Sequence, residues 1–306
     1  FFGSRFSYLI IFITSFIPLL KIFIKDRPDY LIIHLITSLP LFLNSIFKNK
    51  TKIILRISGY PKLNIFRKFI WKFSEKKVHS ITCPSVGLEK QLTDLNLFSK
   101  EKVFFLADPI ICVKDFIEKI SNEKESKFSI DQRKYFIAVG RLTKQKNFEY
   151  LINEFSNSVM VSKNIDLLIF GEGEDRKKLQ KLIKKKNLEN RIKLMGFYKN
   201  IISYMKNAEA FILSSLWEDP GFVLIEAAMC NLFIISSDCK NGPKEILKNG
   251  KGGFLFESNK KDELKKKLDK FFEIGREKEK MKLISKKNIL KYTLFRHSQV
   301  FEKILN

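Results

Sequence analysis

The sequence lacks the residue clusters that proteins ordinarily use to hold a metal ion. It contains no Asp-x-Asp pair, only three dispersed histidines, and four cysteines with no Cys-x-x-Cys spacing. Zinc sites and disulfide frameworks both need clustered ligands or regular cysteine spacing. We therefore predict no metal site and no disulfide framework. Free cysteines in apolar or loop contexts make a reducing compartment the default.

Acidic residues are scarce relative to basic ones. The 57 Lys and Arg residues outnumber the 33 Asp and Glu residues, which gives a formal net charge of +24. Such a charge raises the question of nucleic acid. The basic residues are mostly Lys scattered among Ile, Phe and Asn, with no Arg-rich stripe and no nucleic-acid-binding motif. We therefore predict no nucleic-acid partner, and an anionic membrane surface is the second explanation for the charge.

Only one apolar run is long enough to raise the question of a transmembrane helix. It covers residues 6–24, has Pro18 inside it and Lys21 near its end, and is close to the lower limit of roughly 17 residues for a span. A helix that covers a sheet fits this run better, and contact with a membrane is the alternative. No convincing signal-peptide cleavage pattern follows.

A chain of 306 residues is long enough for two domains. Apolar runs bounded by turn residues alternate with amphipathic segments, which predicts parallel sheets wound on both faces. The predicted strands are 27–34, 52–59, 78–84, 103–106, 135–140, 166–170, 192–194, 210–214, 232–236 and 253–256. The charged stretch 114–133 is the predicted linker, and residues 261–274 and 277–303 are predicted to be helical. We predict a first domain at 1–130 and a second at 131–287, with 288–306 crossing back onto the first.

The stretch 214–229 carries the most chemistry. A buried strand ends in a polar loop, and a helix begins near Gly221, where Pro and Gly precede good helix formers. The free amides of its first turn and the helix dipole form a site for a phosphate. Glu218 precedes this site and Glu226 follows it. The spacing suits two carboxylates that hold a ribose and a second sugar, although two Glu residues eight apart are also common on a solvated surface.

Three further loops follow predicted strands. Arg141 and Lys146 lie in one of them, and together they could bind a diphosphate. Gly171 and Gly173 form a Gly-x-Gly turn whose backbone can approach a ligand closely. The loop 237–246 leads into another helix start. Each signal is weak alone, since basic pairs are frequent in a Lys-rich chain.

The order of these motifs resembles that of the retaining family-4 glycosyltransferases, which have the GT-B fold of two Rossmann-like domains facing a cleft. The shared motifs, in chain order, are Gly-Arg-x4-Lys-Asn, Gly-Glu-Gly, Lys-Leu-Met-Gly-Phe, Ser-Leu-Trp-Glu-x7-Glu and Asn-Gly-Pro-Lys-Glu-Ile. The resemblance covers nearly all of 27–303 and is strongest over 135–260. The form of 237–246 is similar to that of bacterial enzymes that extend polysaccharides or lipid-linked oligosaccharides, such as lipopolysaccharide and O-antigen.

The resemblance implies roles for individual residues. Glu218 would contact the transferred sugar as the catalytic residue, and Glu226 would bind the ribose hydroxyls. The other implied donor-binding residues are Arg141 and Lys146 at the diphosphate, Gly171 and Phe197 at the base, and the amides of Gly221, Phe222 and Val223 at a phosphate. No metal or other cofactor is implied.

The acceptor side departs from the family pattern. Relatives often have a His near the end of the second predicted strand, and here Arg56, Ser58 and Gly59 occupy that region. The usual first strand and Gly-rich turn are missing, and the chain begins with Phe. We therefore expect an amino-terminally truncated or processed chain.

The function implied is the retaining transfer of a sugar from a nucleotide diphosphate, UDP in the first instance, to a polysaccharide or a polyprenyl-diphosphate-linked acceptor. The expected location is cytoplasmic, peripheral on the inner face of the plasma membrane. Two alternatives stay open on the sequence: a catalytically silent sugar-nucleotide-binding protein and a nucleotide-sugar epimerase of the same fold.

Overall fold

The computed structural model describes residues 4–47, 50–61, 63–121 and 133–306. The predicted α/β class with parallel sheets is confirmed: the described residues form one four-stranded and one six-stranded sheet, both parallel. Packing divides the chain into Phe1–Ala107 with Val300–Asn306, and Asp108–Gln299. The predicted domain boundary at residue 130 lies outside the described residues, and the predicted domain limits stay a prediction.

The first sheet contains the strands in chain order. They are β1 (Tyr30–His34), β2 (Lys52–Arg56), β3 (Val78–Cys83) and β4 (Val103–Phe105). The β2 residues Ile53, Ile54 and Leu55 are fully buried, as expected for a parallel strand covered on both faces. Helices α2 (Ser38–Ile46), α3 (Ile65–Phe73) and α4 (Val86–Asp94) connect the strands.

The amino-terminal apolar run forms helix α1 (Ser4–Lys21), which continues into a π-helical turn, Ile22–Asp26. The prediction that this helix covers a sheet is only partly right. Leu19 and Leu20 pack against the hydrophobic core around the first sheet, which we call the first core, whereas Ile13 and Ile17 are exposed. In the part of the chain that the structure describes, no helix combines the length and the apolar character needed to span a bilayer.

The second sheet has the strand order β10-β9-β8-β5-β6-β7. Its strands are β5 (Tyr135–Val139), β6 (Asp166–Phe170), β7 (Ile192–Gly196), β8 (Ala210–Leu213), β9 (Phe233–Ser237) and β10 (Phe254–Phe256). The chain runs outward from β5 to β7, then returns to place β8 on the other side of β5. The crevice at the carboxyl ends of β5 and β8 is therefore a topological switch point, the usual ligand site in open α/β sheets.

Helices cover both faces of the second sheet. They are α5 (Val113–Ser121), α6 (Phe148–Ser156), α7 (Val159–Ser162), α8 (Arg176–Lys185), α9 (Ile202–Asn207), α10 (Phe222–Met229), α11 (Pro243–Ile246), α12 (Glu263–Lys270) and α13 (Glu277–Asn288). A 3-10 turn, Ile289–Tyr292, separates α13 from α14 (Leu294–Leu305), so the single helix predicted at 277–303 is interrupted.

Helix α5 corrects the predicted linker at 114–133. Val113, Phe116 and Ile117 have the three- and four-residue spacing of a helix face, which the surrounding charges obscured in the sequence. Residues 122–132 of the predicted linker lie outside the described residues.

Candidate active site

Two loops meet at the switch point of the second sheet. One is loop 140–147, which follows β5, and the other is loop 214–221, which follows β8. The Leu216 amide donates to the Gln145 carbonyl (2.8 Å), and the Gln145 side-chain amide donates to the Trp217 carbonyl (2.9 Å). The Ser214 hydroxyl donates to the Lys146 carbonyl (2.7 Å). These three bonds fix the two loops against each other.

The loops bring Lys146 and Glu218 into direct contact. The Lys146 Nζ lies 2.5 Å from Glu218 Oε1, and the two side chains are only 14% and 6% exposed. The Ser215 hydroxyl donates to the same carboxylate oxygen, also at 2.5 Å. A buried carboxylate needs such partners to offset the loss of water. The ion pair therefore holds both side chains in a defined position.

Ser215 also receives hydrogen bonds. Its carbonyl accepts from the Ser237 hydroxyl (2.7 Å), at the end of β9, and from the Ser258 hydroxyl (3.1 Å), just after β10. Ser215 thus links Glu218 to the carboxyl ends of two further strands. This role of Ser215 has no signature in the sequence, because a serine gives no signal of which distant group it will contact.

Gly140 provides the space that the Lys146 side chain occupies. A Cβ added at Gly140 would lie 3.0 Å from both Cδ and Cε of Lys146. Gly171 has a φ of +135°, and its Cβ would lie 1.9 Å from the Gly140 carbonyl oxygen. The predicted close approach at Gly171 is therefore, in the structure, an approach to the backbone of loop 140–147.

Helix α10 begins directly beside the ion pair. Gly221 is its N-cap with a φ of 90°, no side chain caps the helix, and Phe222 begins it. A Cβ on Gly221 would come within 3.4 Å of Glu218 Cγ, so this helix end and the carboxylate are neighbours. The positive end of the α10 dipole therefore lies beside the Lys146–Glu218 pair.

The loop after β9 contacts loop 214–221 and helps to hold it in position. The Glu218 amide donates to the Lys240 carbonyl (3.3 Å), and the Asn241 side-chain amide donates to Asp219 Oδ1 (2.9 Å). A Cβ on Gly242, whose φ is +124°, would lie only 1.7 Å from the Pro220 carbonyl oxygen. The Asn-Gly-Pro motif therefore serves as packing for loop 214–221.

Glu226 lies farther along α10. Its side chain is exposed and lines a cavity of about 140 Å³, together with Met229 of the same helix and Lys199 and Asn200 from the segment after β7. Cys112 also lines it. The cavity therefore lies between the α10 carboxylate and the segment after β7.

The other residues predicted to bind the donor are more exposed to solvent. Arg141 is exposed at the start of its loop, and Phe197 is exposed after β7. Val223 is half-buried in the first turn of α10. The structure thus brings Lys146, Glu218 and the start of α10 together, and it places Glu226 in an adjoining part of the same unit. The predicted roles of these residues stay predictions.

A family model described as glycosyl transferases group 1 matches residues 119–288. This match covers more than half of the chain and includes both loops of the site. The chain belongs to the group 1 glycosyl transferases.

Two relatives extend the comparison beyond the family model. An uncharacterized glycosyltransferase of Methanocaldococcus jannaschii is 35% identical over 248 residues, covering 75% of this chain and 60% of the relative. An N-acetylgalactosamine-N,N'-diacetylbacillosaminyl-diphospho-undecaprenol 4-alpha-N-acetylgalactosaminyltransferase of Campylobacter jejuni is 27% identical over 240 residues, covering 76% and 61%. The chain therefore spans about 60% of the length of these two relatives.

Solved glycosyltransferases share the fold. A glycosyltransferase from Rickettsia africae superposes with a TM-score of 0.80 at 17% identity, over 97% of this chain and 82% of that one. The Anabaena protein HepE, in complex with UDP, superposes with a TM-score of 0.75 at 15% identity, over 94% and 81%. At these identities the likeness is one of fold, and it supports the GT-B class.

The residues predicted for the acceptor side lie in the other unit. Arg56 ends β2, is buried, and donates from Nη1 to the Leu106 carbonyl (2.8 Å). With Ser58, Gly59 and Tyr60 it lines a cavity of about 620 Å³. The Arg56 side chain thus connects β2 to the residue that follows β4, and it also lines this cavity. A role for Arg56, Ser58 and Gly59 toward an acceptor stays a prediction.

Proposed function

We propose that this chain transfers a sugar from a nucleotide diphosphate to a polysaccharide or polyprenyl-diphosphate-linked acceptor, with retention at the anomeric carbon and without a metal ion. The retaining family-4 glycosyltransferases are the group it fits. The observation that carries the proposal is the Lys146–Glu218 pair beside the free start of α10, at the switch point of the second sheet.

In this proposal the donor diphosphate lies between a cation and a helix end. Lys146 supplies a positive charge at the carboxyl end of β5, and the amides of Phe222 and Val223, in the first turn of α10, would bind a phosphate of the same donor. Arg141, exposed on the same loop, can swing onto the diphosphate without giving up a buried contact. Such groups stabilise the bound diphosphate in the ground state. They stabilise it more strongly in the transition state, because the departing diphosphate gains negative charge.

The proposed reaction breaks the bond between the anomeric carbon and the donor phosphate oxygen. The acceptor hydroxyl oxygen forms the new bond on the same face of the sugar, and its proton passes to the departing diphosphate. Glu218 orients the transferred sugar, since Lys146 and Ser215 hold one of its carboxylate oxygens and leave the other to accept from a sugar hydroxyl.

In this proposal the nucleoside part of the donor binds at the cavity beside Glu226. Its carboxylate can accept both ribose hydroxyls, and the segment with Lys199 and Asn200 supplies polar groups for a base. The complex of HepE with UDP supports UDP as the first donor to test. The lipid-linked acceptor named for the Campylobacter relative supports an acceptor of that class. We propose that the chain acts on the cytoplasmic side, where it would meet such donors.

A donor screen followed by product analysis tests the proposal. Thermal shift with uridine, guanosine and adenosine diphosphate sugars identifies the donor, and the protein is then incubated with that donor and polyprenyl-diphosphate-linked or polysaccharide acceptors. We expect stabilisation by a uridine nucleotide and a product whose anomeric configuration, read by NMR, matches the donor. Glu218→Gln should reduce turnover by roughly 10²–10³-fold with the fold intact.

Three results would contradict the proposal. Binding of the nucleotide sugar without transfer to any acceptor would indicate a silent binding protein. Conversion of the donor sugar without an acceptor would indicate an epimerase. Full turnover by Glu218→Gln would remove that residue from the site.

A further inference from the structure

Helix α3 carries aromatic and aliphatic side chains on the side that faces solvent. Ile65 is 90% exposed, Phe66 69%, Phe69 67% and Phe73 63%. We call these four residues the apolar face of α3. At about 100° per residue, Ile65, Phe69 and Phe73 follow one line along the helix and Phe66 lies beside it. An exposed cluster of this kind marks an interaction surface.

The opposite side of α3 is firmly packed. Ile70 and Trp71 are buried in the first core. The Trp71 Nε1 donates to the Thr37 hydroxyl (3.1 Å), and the Asn64 side chain accepts from the Arg67 amide (2.8 Å) at the start of the helix. The helix therefore buries one apolar side and still presents a second one. The exposed side chains do not result from a loosely attached helix.

Lysines border the apolar face. Lys68 and Lys72 are exposed and lie three residues after Ile65 and Phe69, which places them along one edge of the apolar line. Lys72 forms an ion pair with Glu75 (2.9 Å), whereas Lys68 extends into solvent. A helix that lies at a membrane interface has aromatic rings that enter the headgroup–acyl boundary and, beside them, ammonium groups that contact lipid phosphates. Helix α3 has this arrangement.

We propose that the apolar face of α3 docks on an anionic lipid bilayer. Phe66, Phe69 and Phe73 would enter the headgroup–acyl boundary, and Lys68 and Lys72 would contact the phosphates. A second copy of the chain is a poorer occupant, because a net charge of +24 would bring like charges together around an interface between copies.

The apolar face also borders the cavity that contains the predicted acceptor-side residues. Phe66 lines this cavity of about 620 Å³ together with Arg56, Ser58 and Gly59. Docking through α3 would hold the mouth of the cavity at the level of the lipid headgroups. A lipid-linked acceptor could then enter with its chain still in the bilayer. This last link rests on the proposed function, whereas docking itself does not.

Vesicle flotation of the full chain tests the docking. The wild type and the variant Phe69→Ser/Phe73→Ser are compared on vesicles of phosphatidylglycerol with phosphatidylcholine and on phosphatidylcholine alone. Phe295→Ser is the matched control, because Phe295 is equally exposed, at 68%, on α14 outside the apolar face. We expect the wild type to float with the anionic vesicles, the double variant to bind at least about tenfold more weakly, and the control to bind as the wild type does.

Lys68→Gln separates the two contributions. It should weaken binding to anionic vesicles and reduce the sensitivity of that binding to salt, with no effect on neutral vesicles. Thermal unfolding of each variant, together with binding of UDP, shows whether the fold and the donor site persist. Loss of flotation with UDP binding unchanged would confirm a separate lipid surface.

Three results would overturn the proposal. The first is flotation of the double variant equal to that of the wild type. The second is failure of the wild type to bind anionic vesicles at low salt. The third is a dimer of the wild type that the double variant loses while vesicle binding is absent, which would make the apolar face an interface between copies. Failure of sugar transfer with flotation intact would count against the proposed function and not against the docking.

Discussion

Replacing Lys146 should destabilise the protein far more than replacing an exposed lysine whose ion pair has the same N–O distance. The Lys146–Glu218 pair is almost entirely shielded from water, so Lys146→Met leaves a carboxylate that keeps the Ser215 hydrogen bond and loses its countercharge. Breaking a buried pair in this way costs about 3–5 kcal/mol. For a domain of roughly 150–250 residues this corresponds to a fall in Tm of about 6–20 °C.

The assay is a double-mutant cycle by calorimetry at pH 7 without nucleotide. Glu218→Gln should cost less than Lys146→Met, because the Gln oxygen still accepts from Lys146 and Ser215. The double variant Lys146→Met/Glu218→Gln should lose less than the sum of the two, by about 1–3 kcal/mol. Lys178→Met is the control: its pair with Glu149 has the same 2.5 Å distance but is 60% and 48% exposed, so Tm should barely change. Additive effects within about 0.5 kcal/mol would refute the buried pair.

Two further predictions concern the neighbours of this pair. Gly140→Ala should displace the Lys146 side chain, weaken UDP binding and lower Tm by no more than Lys146→Met does, whereas Gly171→Ala should lower Tm more strongly, because its Cβ meets backbone at 1.9 Å. Binding and calorimetry of both variants test this, and unchanged UDP binding by Gly140→Ala would contradict the first expectation. Burial raises the pKa of the Cys239 thiol to about 11, so about 0.1% is thiolate at pH 8. Mass spectrometry after iodoacetamide at that pH should find Cys239 unmodified while the half-buried Cys112 reacts, and early labelling of Cys239 would contradict this.

Much of the fold was predictable from local pattern. The strands of both sheets are short apolar runs bounded by turn residues, and a parallel arrangement follows from the helices between them. Helix α5 was missed because charged residues interrupt its apolar spacing. The end of the predicted helix at 277–303 was also missed, since no Gly or Pro marks the break before Thr293.

The sequence predicted which residues form the candidate site, but not all of the contacts that hold them in place. Loops that follow parallel strands lie on one edge of a sheet, so Lys146 and Glu218 were expected near each other. Their direct contact depends on β8 lying next to β5, which is a property of strand order and leaves no local signature. The supports supplied by Ser215 and Gly242 were missed for the same reason: their partners are distant in sequence.

The central claim is that a nucleotide diphosphate binds at the carboxyl ends of β5 and β8, against Lys146. Calorimetric titration of UDP into the wild type, Lys146→Met and Lys144→Met tests it directly, since Lys144 is an exposed lysine of the same loop. We predict that Lys146→Met binds UDP at least about tenfold more weakly, because a hydrogen-bonded ion contact is lost, and that Lys144→Met stays within about twofold of the wild type. Equal affinity of the wild type and Lys146→Met would contradict the claim and place the nucleotide elsewhere.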